Sequence, residues 1–299
     1  MTAATTADLP VKKGSLKGDR KRALYWSYVF LILFAVFFLT PPLYMFITSL
    51  KGSAEIAEAK LPWWVFQPTL QNYTALIGSE DYQNFFINSA LVSLCTVVVT
   101  MLISIPAAFA LSRMKFWGST ALATGVFLTY LIPETLLFIP LFKIFAWVTD
   151  VTGIELINHW WVLIIIYPTL TVPFCTWIMI GYFASIPKEL DEAALIDGAG
   201  YLQILTRVFI PVALPGIIAA TIFCFTVSWA NFLYPLAFTT SADQLVLPVG
   251  IVTTLIKGDV YNWGQIMTGA LLGAAPPLII YAFLMDYYIA GLTAGATKG

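Results

Sequence analysis

Residues 23–50 read ALYWSYVFLILFAVFFLTPPLYMFITSL, without a single charged side chain. A bilayer core about 30 Å thick is crossed by about 20 apolar residues in helical form. Lipid offers no partners to backbone polar groups, so a spanning segment must satisfy its own, as a helix does. The stretch is long enough to do this. Three further uncharged stretches, 85–112, 160–187 and 208–242, repeat the pattern. A fifth, about 116–142, contains one carboxylate, Glu134, and a sixth covers 261–285. Composition agrees: 60% of residues are hydrophobic and 10% charged, against about a quarter charged in soluble domains. The expectation is an all-α membrane protein with six transmembrane helices over 23–290, preceded by a polar arm (1–22) and followed by a short tail (291–299).

Six spans return the chain to the side from which it starts. Basic residues gather on the cytoplasmic side of membrane proteins. With the N-terminus inside, the inner segments hold Lys12, Lys13, Lys17, Arg20, Lys21, Arg22, Arg113, Lys115, Lys188, Arg207 and Lys298, and the outer ones only Lys51, Lys60, Lys143 and Lys257. Both termini are therefore expected in the cytoplasm, the chain being multi-pass in the inner (plasma) membrane. The polar, basic start followed by an overlong apolar run does not fit a cleaved signal, so the first helix is expected to stay.

Several kinds of chemistry find no support. Cys95, Cys175 and Cys224 lie within apolar stretches without metal-ligand spacing or a disulfide framework, and read as packing residues. There is no phosphate-binding Gly-x-x-x-x-Gly-Lys loop, and a single histidine, His159 beside Trp160 and Trp161, reads as an interfacial residue. A net charge of −1 gives no reason to expect nucleic acid as a partner.

Two segments are too polar to be plain crossings. Residues 51–84, on the outer side, carry Pro62, Trp63, Trp64, Pro68 and four acids, as an interfacial aromatic belt would. On the inner side, about 183–210, the chain reads Ile186-Pro187-Lys188-Glu189-Leu190-Asp191-Glu192-Ala193-Ala194-Leu195-Ile196-Asp197-Gly198-Ala199-Gly200, then Ile210-Pro211 and Leu214-Pro215. Proline at or before the first turn, with acids after it, starts a helix. Gly198 and Gly200 end that helix in a sharp turn. A second helix is expected from Tyr201 until Pro211 breaks it. The product is a short charged helix-turn-helix in which small Ala193 and Ala194 let another surface approach. From physics alone, a docking element and an ordinary amphipathic connector fit equally well.

The stretch EAALIDGAG followed by IPVALP closely resembles the EAA loop of permease subunits of bacterial ABC importers, over some 25 consecutive positions. Leu205 departs from that pattern, which has an aromatic there. The resemblance implies that Glu192, Ala193, Ala194, Asp197, Gly198 and Ala199 form a coupling helix and its turn, docking on an ATPase subunit, with Pro211 and Pro215 marking re-entry. Gln71-Asn72-Tyr73, Asn88-Ser89, the run Ala107-Ala108-Phe109-Ala110-Leu111-Ser112-Arg113 and the ending 291–299 are similar to the carbohydrate-uptake branch, the maltose and glycerol-3-phosphate permeases. The family implies alternating access, a second non-identical permease, two ATP-binding subunits and an extracytoplasmic solute-binding protein. It also implies no cofactor in this chain, ATP and Mg being held by the partner ATPases.

For the path itself, Glu134 is the mid-span carboxylate, and a charge there is costly unless it faces a cavity or a partner. Trp229, Asn231 and Tyr234 could stack on and hydrogen-bond a sugar; aromatics packed against helix or lipid explain them equally well. Trp229-Ala230-Asn231 departs from the branch's adjacent Trp-Asn pair. Proline breaks within spans, such as Pro276-Pro277, free backbone carbonyls. Gly269 and Gly273 permit close helix approach, within the subunit or against a partner. Asp286 is assigned no role. The alternatives are the same machine for another solute, such as glycerol-3-phosphate, a secondary transporter, which would show paired halves and several buried ionisable groups, and a membrane enzyme, which would need a polar catalytic cluster.

Overall fold

A computed structural model describes residues 16–58, 63–114, 116–257 and 260–296. Lys12, Lys13, Lys60, Pro62, Lys115 and Lys298 lie outside them, as does the side chain of Asp286. The regular secondary structure of the described residues is helical apart from two two-residue strands, β1 (Ile256–Lys257) and β2 (Val260–Tyr261), paired antiparallel. Four described helices are long and apolar enough to cross a membrane, and two bent helix pairs bring the total to as many as six.

Helix α1 (Leu16–Ser49) begins inside the stretch expected to be an arm. After α2 (Ser53–Glu58) and α3 (Gln71–Ile77) comes α4 (Glu80–Arg113), 34 residues long. At 1.5 Å per residue that is about 51 Å, more than a bilayer core requires. The third expected span is two helices, α5 (Ser119–Tyr130) and α6 (Glu134–Thr152), because Pro133 cannot continue a helix begun before it. The fourth is α7 (Val162–Ile166) with α8 (Pro168–Ser185).

Helix α9 (Lys188–Ile196) starts directly after Pro187 and bends 77° from α8. Gly198, at φ +79°, ends it. The N–H of Gly198 reaches Leu195 O at 3.0 Å and that of Ala199 reaches Ala194 O at 2.9 Å, the paired bonds of a glycine-closed helix end. Gly200 is ordinary extended backbone, its N–H given to the Gln203 side chain at 3.0 Å. The next helix does not break at Pro211. It runs as α10 (Tyr201–Ile204), a π-turn over Leu205–Phe209 and α11 (Ile210–Val212), then turns by 80° at Ala213. The wider π-turn gives the Pro211 ring room that a regular turn would deny it. Pro215 then sits in the first turn of α12 (Leu214–Ala230), where its missing N–H costs nothing.

The expected fifth span is also divided. It consists of α12, a break at Asn231-Phe232 and α13 (Leu233–Phe238), followed by α14 (Leu247–Leu255) where a loop is expected. Helix α15 (Trp263–Ala296) continues through most of the expected tail.

The centre is α4 packed on α8 and α12. Along α4, Ser89, Ser93, Thr96, Thr100, Ser104 and Ala108 are all buried, a stripe of small residues that brings the backbones together. Thr100 and Thr171 share a hydrogen bond of 2.7 Å across it. Two motif fragments act as braces. Asn72 donates to Ser49 O (2.8 Å) and Lys51 O (2.9 Å), closing α1, while Asn88 donates to Asp243 O and Leu245 O, each at 2.9 Å. Gly269 and Gly273 face α14, where an added Cβ would lie 3.1 Å from Ile251 and from Leu247. Their close approach is thus made within the subunit.

Candidate functional site

Two places carry the expected residues. The first is the end of the bundle where α4 and α8 finish. Of the six loop residues, Glu192, Ala193, Asp197 and Gly198 are exposed, whereas Ala194 and Ala199 pack partly buried against the cluster of Phe109, Phe183, Leu205 and Phe209. The helix thereby has an anchored side and a free one. The free side carries an apolar residue beside Glu192, since Ile196 is 86% exposed, and Leu202 on α10 is 74% exposed. Leu205 fills the aromatic position as a buried core residue.

In the sequence Arg113 stands out only as the close of a run. In the structure it is a junction: Nη2 donates to Phe183 O at 2.5 Å and to Ile186 O, and Nη1 lies 3.4 Å from Asp191 Oδ2 on α9. Its guanidinium carbon stands 4.9 Å from the Phe209 ring centroid. The two carbonyls lie at the end of α8, where that of Phe183 also accepts from Ile186 N at 3.2 Å. Burial of Asp191 raises its carboxyl above the usual carboxylate range; Arg113 opposes the shift and neighbouring Glu192 adds to it.

The second place is where two helix breaks meet. Glu134 opens α6 and Asn231 follows α12, and Asn231 Nδ2 donates to Glu134 Oε2 at 3.0 Å. The Asn231 Oδ1 accepts from Tyr234 N at 3.1 Å, so one amide caps α13 and holds the carboxylate. Glu134 borders two clefts. One, of 280 Å³, is shared with Tyr130, Thr169 and Phe223; the other, of 480 Å³, with Asn231, Ala230 and Leu233.

Glu134, Asn231 and Tyr234 therefore come together, and Trp229 does not join them. Of the two readings of Trp229 and Tyr234, packing against helix describes this structure, in which both rings are enclosed. Tyr234 is fully buried beside Tyr167 and Phe238. Trp229 is 5% exposed, stacked on Phe225, and its Nε1 donates to Gly273 O at 2.8 Å. Phe232 borders the larger cleft and stays open, and so at the smaller one does Tyr130, stacked on Phe174 at 4.7 Å. The position of Tyr130 three residues before Pro133 is the signal that the sequence offers for it.

The family model described as binding-protein-dependent transport system inner membrane component matches residues 100–293. The chain is similar to the inner membrane ABC transporter permease protein YcjP of Escherichia coli, 34% identical over 91% of this chain and 95% of that protein. It is similar to the sulfoquinovosyl glycerol transport system permease protein SmoH of Agrobacterium fabrum, 33% identical over 87% of this chain and 89% of that protein. Among solved structures it resembles a bacterial ABC transporter involved in import of the acidic polysaccharide alginate, with a TM-score of 0.76 at 20% identity, covering 91% of this chain and 98% of that one.

Proposed function

Because this chain belongs to the binding-protein-dependent transport system inner membrane components, we propose that it builds half of a solute pathway and couples that half to ATP hydrolysis on partner subunits. It is a permease subunit of an ABC importer of the sugar-transport type. The observation that carries the coupling reading is the two-sided helix α9, anchored through Ala194 and Ala199 and free at Glu192, Ala193 and Ile196. A helix held on one side and bare on the other is built to receive another protein. In this reading α9 faces the cytoplasm with both termini, and Glu192, Asp197 and Gly198 lie in the contact with an ATPase subunit.

Glu134 and Asn231 border the pathway, with Tyr130 and Phe232 as its open rings. Lys and Arg, the groups that clamp a phosphate ester, are absent from 23–50, 85–112, 116–142, 160–187, 208–242 and 261–285, and Lys143 in α6 is the one that falls well inside a described membrane-length helix; so sparse a cationic set favours a neutral sugar or polyol over glycerol-3-phosphate. A second, non-identical permease completes the pore. Two ATPases hold ATP and Mg, and an extracytoplasmic binding protein delivers the solute.

The test is ATP hydrolysis by the reconstituted complex with and without sugar-loaded binding protein, for wild type and Gly198→Asp. Stimulation in wild type that is lost in an assembled variant supports the reading. A chain that co-purifies with no ATPase, or a variant that is stimulated like wild type, overturns it.

A further inference from the structure

We infer that Arg113 is a positioning residue that locks α9 to α4 and α8, its pairing with Asp191 setting the angle at which α9 is presented; this rests on the coupling role proposed above. The joint between α8 and α9 is two residues, Ile186 and Pro187, and both have extended ψ values, 133° and 139°. Such a joint directs the chain but does not brace α9 against rotation about it. Bracing must come from side chains. The apolar contribution is small, since Ala194 and Ala199 present one methyl group each.

Arg113 supplies the remainder from the end of α4. One guanidinium donates to Phe183 O and Ile186 O, faces Asp191 Oδ2 and lies over Phe209, so a single planar ion touches α4, α8, α9 and the turn leading to α11. Its side chain is 6% exposed and that of Asp191 20%. Lysine, with one nitrogen, could not reach the two carbonyls and the carboxylate in these directions together.

The pair is poorly suited to stabilising the fold. Arg113 Nε and Asp191 Oδ1 are buried without a hydrogen-bond partner among the described residues, and a partly satisfied buried pair adds little or nothing to stability. What it adds is geometry. With the lock in place, a push on α9 moves α4 and α8 together; without it, the push turns α9 about Ile186-Pro187.

The experiment uses the full complex in nanodiscs and proteoliposomes, with Arg113→Gln, Arg113→Lys and Asp191→Asn. Solute taken up per ATP hydrolysed is expected to fall about tenfold in Arg113→Gln, less in Asp191→Asn, with incomplete recovery in Arg113→Lys, while hydrolysis and ATPase co-purification are kept. Spin labels at Trp117 and Glu189, both exposed and neither placed in the ATPase contact, should give one narrow distance in wild type and a broad distribution in Arg113→Gln and Asp191→Asn. Wild-type ratios and distances in both variants overturn the inference, as does loss of ATPase co-purification in Asp191→Asn, which would make the pair a folding contact. The spin-label distances need no transport, so they test the lock even where the importer reading fails.

Discussion

Pro277 has no N–H, so within α15 the carbonyl of Gly273, four residues earlier, loses its helical donor. The indole of Trp229 fills that vacancy from another helix. Replacing Trp229 by Phe keeps most of the apolar contact and strands the carbonyl, at a cost of about 1–3 kcal/mol. The thermal midpoint of the purified complex should fall accordingly, with little change in the uptake ratio. At Asp191 the sign is the reverse of an ordinary surface carboxylate. Its folded-state pKa is raised, so its favourable linkage is present below the unfolded value and is lost as pH rises through the folded one. Wild type should therefore gain thermal stability relative to Asp191→Asn as pH is lowered from 7 to 4. Arg113 on α4 and Lys188 and Glu192 on α9 are the charges that act on this group.

Helix ends divide into those that local chemistry decides and those it does not. Gly198 is readable as a terminator because a left-handed residue at that point favours glycine whatever lies nearby. Gly198→Ala should cost about 1–2 kcal/mol, seen as faster amide exchange confined to residues 193–199. Gly250 sends no such signal. An added Cβ there would lie 2.3 Å from the Phe85 ring on α4, a contact between residues far apart in sequence. Gly250→Ala should cost about 1–3 kcal/mol by overpacking and should lower the thermal midpoint without touching the loop. The same division explains Pro211, where local rules place a break that the preceding π-turn displaces to Ala213. It explains Trp229 and Tyr234 as well: their burial depends on which helices surround them. The meeting of Glu134 with Asn231, 97 residues apart, is legible in the sequence only as two separate candidates.

For the whole molecule, membrane character follows from the charge-free stretches and Pro133 marks the fracture at 131–133, whereas the fracture at 231–232 has no such mark, because hydropathy is blind to the direction of a helix axis. The apolar window of α1 has none of its residues buried within the chain. An isolated subunit is then short of contacts that a partner would supply, and assembly should raise its thermal midpoint, with the rise growing as partner concentration grows. The fracture before Glu134 has a further consequence for biogenesis. Helix α5 has 12 residues, about 18 Å at 1.5 Å each, too little to reach across the hydrocarbon. During synthesis it cannot leave the insertion machinery as an independent stop, so its release into lipid must wait for α6, and a ribosome paused between the two would hold a chain that has entered the bilayer without crossing it.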